Sequence, residues 1–298
     1  MHKIIPHLWF DKEAKEAADF YTTVFDSAKI THASKIENTP SGDTEIVSFE
    51  IEDQPFMAIS AGPVFKINPS ISFLVNFDPS KHSDAKERLD NVWEKLLPGS
   101  KVLMPLQEYP FSKHYGWIED KFGVSWQLML SNPNGEPRPF ITPSLLFTQD
   151  MNGKAKEALE YYANVFNGST IGAEAPYPLE SGRTGLMYAD VHLLDSWIAL
   201  MDGGTDHKFS FNEGVSLLVP CDTQEEVDYY WEKLSAVPEA EQCGWLKDKF
   251  GVSWQIHPTV MNKMMSEGTP EQVDRVTEAF LKMKKFDIAA LEKVFNGK

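Results

Sequence analysis

Asp120-Lys121-Phe122-Gly123-Val124-Ser125-Trp126-Gln127 recurs, residue for residue, as Asp248-Lys249-Phe250-Gly251-Val252-Ser253-Trp254-Gln255. Asp with Gly three residues on suits a tight turn, and the apolar run behind it suits a strand, so the string reads as a hairpin. Side chains alternate along a strand, which places Val124, Trp126 and Leu128 on one face and Ser125 and Gln127 on the other. The Trp face is expected to pack. The Gln face is free to look into a cleft, where a partly buried amide needs partners that a ligand or water supplies.

Working outward from the string, the repetition widens. Pro6-His7-Leu8-Trp9-Phe10 has its counterpart in Pro143-Ser144-Leu145-Leu146-Phe147. The apolar positions Ala14, Ala17, Tyr21, Val24 and Phe25 are matched by Ala155, Ala158, Tyr162, Val165 and Phe166, each set spaced as one face of a helix. Ile71-Ser72-Phe73-Leu74-Val75 matches Val215-Ser216-Leu217-Leu218-Val219, and Trp93-Glu94-Lys95-Leu96 matches Trp231-Glu232-Lys233-Leu234. The repeating unit far exceeds the roughly 20 to 50 residue period of solenoids, so this is a tandem duplication. Copy one spans 1–132 and copy two 140–260, separated by a turn-rich linker around Ser131 to Pro139 and followed by a helical extension over 261–298. Within copy one, element order repeats as two β-α-β-β-β units, giving an α+β fold class. In the extension, residues 270–295 read as two amphipathic helices broken near Phe286.

A chain of 298 residues favours two domains, and 42% hydrophobic residues with 12% aromatics suit packed cores. The formal charge of −16 repels phosphate backbones and anionic lipid, which argues against nucleic acid and membrane partners. The N-terminus turns charged after a short apolar run, unlike a secretion signal, so a cytoplasmic protein is expected. Cys221 and Cys243 form no CxxC pair and read as reduced thiols.

Asp-Lys-Phe-Gly-Val-Ser-Trp-Gln, preceded by Gly-Trp and combined with Pro-His-Leu-Trp-Phe, Leu103-Met104-Pro105-Leu106-Gln107 and Met283-Lys284-Lys285-Phe286-Asp287, resembles the PhnB-like family of the vicinal oxygen chelate, or glyoxalase/bleomycin-resistance, superfamily. The resemblance spans both copies. It implies tandem glyoxalase-like domains, each built of two βαβββ modules around a cleft, where relatives hold small molecules, often through a divalent metal. Metal-dependent relatives carry Glu on the last strand, and Gln127 and Gln255 stand at the matching positions here. A neutral amide is a poorer ligand for a divalent cation than a carboxylate. His7 has no equivalent at Ser144, while His257 and His192 lie on strands of copy two. No resident metal and no other cofactor is therefore expected, with divalent-metal binding kept as a minor alternative.

Members of this family are often labelled as demethylubiquinone methyltransferases, yet no strand here runs into a Gly-x-Gly loop and helix that would seat S-adenosylmethionine; Met201-Asp202-Gly203-Gly204 leads into Thr-Asp-His-Lys-Phe instead. No nucleophile elbow or phosphate loop occurs either. Copy one alone carries a long aromatic stretch over 104–117, read as a loop on which Gln107, His114 and Tyr115 converge with Gln127, with His114 as the candidate for proton transfer. The candidate binding residues are His7, Trp9, Gln107, Tyr115, Gln127, Gln255 and His257. The partner is a small molecule, and monomer and homodimer both remain compatible. Two functions stand side by side: a metal-independent enzyme on a small metabolite, and a noncatalytic protein that sequesters one, with the copy-one cleft favoured as the binding site.

Overall fold

The computed structural model describes residues 3–39, 42–179 and 184–298. Four modules follow one another along the chain. The first is β1 (Ile5–Phe10), α1 (Ala14–Val24), β2 (Lys29–Thr39), β3 (Gly42–Ile51) and β4 (Gln54–Ser60). The second is β5 (Ile71–Phe77), α2 (Ala85–Leu96), β6 (Lys101–Tyr109), β7 (Ser112–Glu119) and β8 (Ser125–Leu130). Copy two gives β9 (Ile141–Thr148), α3 (Ala155–Val165), β10 (Thr170–Pro178), β11 (Thr184–Leu193) and β12 (Ser196–Gly204). Its second module, β13 (Val215–Cys221), α4 (Gln224–Leu234), β14 (Trp245–Lys247) and β15 (Ser253–Pro258), has one strand fewer.

The sheets combine modules from different copies. One has the order β14-β15-β13-β1-β4-β3-β2, the other β10-β11-β12-β9-β5-β8-β7-β6. Here they are called sheet A and sheet B. Each is joined at its centre by an antiparallel pair of first strands, β1 with β13 and β5 with β9. His7 thus faces Ser216, and Ser72 faces Ser144. Both sheets turn one face towards a shared core that includes residues of α1 to α4. Alanines at positions 14, 17 and 18 let α1 lie close to the sheet, while Tyr21 and Val24 fill the space beneath it. The sheets also touch directly, with Phe56 of sheet A edge-on to Phe73 of sheet B at 5.1 Å between centroids.

The repeated octapeptide has the same architectural task in both copies. Asp120 Oδ1 accepts the amides of Phe122 (2.8 Å) and Val124 (3.0 Å), and its Oδ2 accepts Trp126 Nε1–H and the Tyr21 hydroxyl, each at 2.9 Å. Asp248 repeats this with Phe250 (2.8 Å), Val252 (3.0 Å), Trp254 (2.8 Å) and Tyr162 (2.7 Å). One carboxylate thereby closes the turn, fixes the buried indole and ties the hairpin to a helix of the preceding module. Gly123 and Gly251 both have φ of +85°, which a side chain would strain. Burial pushes both carboxyls up to about 6, against the downward pull of their donors.

The two helices expected over 270–295 are α6 (Pro270–Phe280) and α7 (Ile288–Phe295), and a further helix, α5 (Thr259–Glu267), precedes them directly after β15. Thr269 and Gln272 make a reciprocal capping box that starts α6, and Phe286 falls in the break before α7. Met261, Met264, Val276, Phe286 and Leu291 form a second, separate core. No helix among the described residues is long and apolar enough to cross a membrane.

Candidate functional site

Strand alternation sends Leu8 and Phe10 into the core and leaves His7 and Trp9 on the face of sheet A turned away from the helices. Ser216 lies opposite His7, and Gln255 Nε2 donates to Ser216 Oγ at 2.7 Å. Gln255 is almost wholly buried, yet its Oε1 has no donor among the described residues. Neither ring nitrogen of His7 is hydrogen-bonded among them, although His7 is only 3% exposed. Trp245, opposite Gln255, reaches His7 edge-on at 5.5 Å. Their strands are the first and fourth of a row, roughly 14 Å apart at about 4.8 Å per strand, so the two rings close over the Ser216–Gln255 pair.

Burial pushes the His7 imidazole down to about 3, with His257 adding to the effect. Burial likewise lowers His257 to about 4, opposed by its hydrogen bond with Asn262 Oδ1 at 3.2 Å. Both rings are neutral near pH 7, so each offers one donor and one acceptor rather than a charge. The ring of Phe286 stands edge-on to His257 at 6.0 Å. Trp9 is tied to the chain, donating Nε1–H to the Gly62 carbonyl at 2.8 Å and packing on Phe65 at 5.0 Å.

The equivalent face of sheet B is closed by its own residues. The Tyr115 hydroxyl donates to Gln127 Oε1 at 2.6 Å, and Gln127 Nε2 donates to Ser72 Oγ at 2.7 Å, so this amide is occupied at both ends. Tyr109 and Phe111 pack against Tyr115 at 5.6 and 4.9 Å. On the other half of the sheet, Arg138 of the linker reaches Asp190 of β11. Ser144 Oγ, between these two clusters, is buried without a partner among the described residues.

The sheet pairing changes how the candidate residues group. Gln255 and His257 of copy two meet His7 of copy one, so neither copy owns this site. The stretch over 104–117 is not a loop: β6 and β7 run as one hairpin that turns at Pro110 and Phe111. Alternation along β7 then sends Tyr115 and His114 to opposite faces. His114 Nε2 lies 2.5 Å from Asp90 Oδ1 of α2, on the helix side, and does not join Tyr115 and Gln127. Gln107 pairs across from Tyr115 but is exposed at the rim. His192 stacks near Trp197 in sheet B, apart from His257 in sheet A.

Sequence reasoning missed Ser216, Ser72 and Trp245. Their signal was present, because both serines occupy one position of a matched strand pair and Trp245 matches Trp117. Arg138, in a proline-rich linker, gave none.

The divalent ion implied by the superfamily resemblance does not fit these donors. At the centre of sheet A stand the imidazole of His7, the hydroxyl of Ser216 and the amide of Gln255, with the His257 imidazole near them; at the centre of sheet B, the hydroxyls of Ser72, Ser144 and Tyr115 and the amide of Gln127. No anion offsets the dehydration of a divalent cation at either place. Among the described residues no group of three or more His, Cys, Asp and Glu stands together to hold a metal. Asp202, before the Gly203-Gly204 pair, is committed to backbone: it accepts the amides of Gly153 (2.6 Å) and Ala155 (3.2 Å) at the start of α3 and of Leu186 (2.8 Å) in β11. An open depression of about 560 Å³ lies at the start of α1, lined by Asp11, Lys12, Glu45 and Ser60 among others. Its charges are of both signs, and it sits at the helix side of sheet A, where Ser60 Oγ accepts the Ala14 amide.

The family model described as 3-demethylubiquinone-9 3-methyltransferase matches residues 2–129 and again 139–257. Among solved structures, a PhnB protein from Bacillus cereus is 38% identical, covering 44% of this chain and 100% of its own, with a TM-score of 0.39. Glyoxalase I from Zea mays is 11% identical and matches 87% of this chain and 94% of its own at a TM-score of 0.53, a likeness of fold. No curated protein matches the chain.

Proposed function

Because the chain belongs to the family described as 3-demethylubiquinone-9 3-methyltransferase, and its fold is that of glyoxalase I, we propose that it binds a small molecule on the face of sheet A turned away from α1 to α4, without a resident metal. The observation that carries this reading is unmet hydrogen-bonding capacity. His7 and Gln255 are buried, and yet both imidazole nitrogens and the amide oxygen lack protein partners, whereas the matching Gln127 is saturated by Tyr115 and Ser72. None of these three atoms is among the fully buried polar atoms without a partner, so each keeps some access to the face of the sheet, where a ligand can meet it. The imidazole gives one donor and one acceptor, Gln255 a further acceptor, and Trp245 a flat apolar wall. An uncharged planar molecule with N–H or O–H groups beside an acceptor matches that set. Of the copy-one residues favoured by sequence, Tyr115 and Gln127 lie on the self-filled face of sheet B, while His7 and Trp9 belong to the face proposed here.

Recognition is favoured over catalysis because no group here titrates near neutrality: burial holds both histidines far below it, and His114 faces Asp90 instead. Methyl transfer is not part of the proposal. A metabolite-library thermal-shift screen tests it, since ligand at 100 times Kd stabilises by about 2.7 kcal/mol. Hits should lose their shift with His7→Ala or Gln255→Ala and keep it with Gln127→Ala. Hits insensitive to both sheet A substitutions, or appearing only with added metal, would refute it.

A further inference from the structure

The linker between the copies ends in a cage. Arg138 Nε and Nη2 donate to the two oxygens of Asp190 at 2.7 and 3.1 Å, and the guanidinium stacks on the Trp197 ring with Cζ 3.9 Å from its centroid. Nη1 and Nη2 also reach Glu136 Oε2, each at 3.2 Å, and Nη1 the Pro137 carbonyl at 3.2 Å. Asp190 is held in turn by the Tyr188 hydroxyl (2.9 Å) and the Ala173 amide (2.8 Å). A flat fork of donors, a bidentate carboxylate and an aromatic face are what guanidinium recognition requires, and an ammonium does not reproduce that geometry.

The cage has room for nothing larger on its inner wall. A Cβ on Gly172 would lie 2.1 Å from Asp190 Oδ1, 2.7 Å from Trp197 and 2.8 Å from Arg138 Nη2. The carboxylate side chain is 2% exposed and the arginine 13%, so the charge pair lies just beneath the surface. It also covers sheet B. Asp190 is opposite Ala199, Ala199 is opposite Ser144, and Ser144 Oγ is one of three buried side-chain atoms with no partner among the described residues. The chain leaves the cage through Pro139, whose carbonyl accepts Asn76 Nδ2–H at 2.9 Å.

We propose that Asp190, Tyr188, Trp197 and Gly172 form a guanidinium-binding site, that Arg138 is its internal ligand, and that withdrawing Arg138 uncovers a second binding face on sheet B beside Ser144. This site is separate from that of His7 and Gln255, and neither reading depends on the other. The hydrogen bond and charge of Asp190 hold the guanidinium above its usual range, in keeping with a tightly matched pair.

The test removes the internal ligand and offers the same chemistry from solution. In the full-length Arg138→Ala protein, methylguanidinium should bind with Kd of about 1 to 10 mM by calorimetry, in the range open to so small a ligand. Methylammonium should bind at least about fivefold more weakly, because a point charge lacks the fork. Wild-type protein, its cage filled, should bind methylguanidinium at least about tenfold more weakly than the variant, and Arg138→Ala with Asp190→Asn should not bind it. Equal binding by wild type and variant, or no preference over methylammonium, would overturn the proposal. Should Arg138→Ala fail to fold, Arg138→Met keeps an apolar stem over Trp197 and carries the same measurements; absence of binding in that protein overturns the proposal as well.

Discussion

Replacing Tyr162 with Phe removes one atom from the Asp248 knot and leaves the packing volume unchanged. The lost hydroxyl donates at 2.7 Å to a fully buried carboxylate. A hydrogen bond to a charged group contributes about 1.5 to 3 kcal/mol, so roughly 2 kcal/mol is expected at pH 8. For a chain of 298 residues around one shared core that lowers Tm by about 3 °C. The loss should depend on pH, and its sign follows from the carboxyl. Asp248 sits at about 6 in the fold against about 3.9 when unfolded, so its contribution is full below the unfolded value and declines as pH rises through the folded one. Tyr162 is among the groups that pull Asp248 down. Without it the folded value moves higher, and ionisation at pH 8 costs more. At pH 5 the carboxyl is mostly protonated and the lost bond is an ordinary one of about 1 kcal/mol. Guanidinium chloride unfolding at pH 5 and pH 8, followed by circular dichroism, measures both values. Tyr21→Phe should behave alike, its bond being 2.9 Å in the same surroundings. A change below about 0.5 kcal/mol at pH 8, or one larger at pH 5 than at pH 8, would show that the knot does not hold the hairpin as described.

Other expectations concern the sites and their supports. His7 and His257 are neutral in the fold and take up protons when unfolded, so their contribution to stability should fall as pH drops from about 6.5 towards 4, against the opposite trend of Asp120 and Asp248; His7→Gln should be less destabilised than wild type between pH 7 and pH 4 in an unfolding series. Tyr115→Phe frees Gln127 Oε1 in a buried place and should cost about 1 to 2 kcal/mol, read from urea midpoints, while leaving sheet A ligand shifts unchanged. Gly244→Ala puts a Cβ 2.4 Å from Phe286 at φ +84°, so limited proteolysis should cut the extension over 261–298 at least about tenfold faster, a rate unaltered by Gly62→Ala, where φ is also positive but the space is open.

How far the sequence revealed the fold differs between its levels. The duplication, the module order and the packing of Trp126 and Trp254 were legible because they rest on local alternation and on a string long enough to be unmistakable. The partner of each module was not. Which first strand meets which is decided by edges far apart in sequence, and β1 pairs with β13 without any local mark of that choice. The site suffered from the same blindness. His7, Gln255 and His257 were each named as candidates, but their convergence depends on the cross-copy sheet. The region over 104–117 failed for a different reason: its mixture of proline, charge and aromatics reads as a loop, while cross-strand pairing makes it a hairpin and turns His114 away from Tyr115. Arg138 was invisible because a single arginine in a linker has no period and no spacing.

The antiparallel joints between first strands mean that either copy alone would expose two bare strand edges, at β1 and β5 in copy one and at β9 and β13 in copy two. In effect the chain is a two-subunit assembly drawn as one thread, in which exchanging the copies exchanges the two joints and with them the two sheets. Two identical subunits would have to repeat every residue at symmetry-related places. Fusion lifts that obligation. Position 7 and position 144 have parted as His and Ser, Tyr115 has no hydroxyl counterpart where Cys243 stands, and the central amide of one sheet accepts a hydroxyl that the other lacks. Covalent continuity has thus freed the two faces to acquire different chemistry while each still leans on the other copy for its edge.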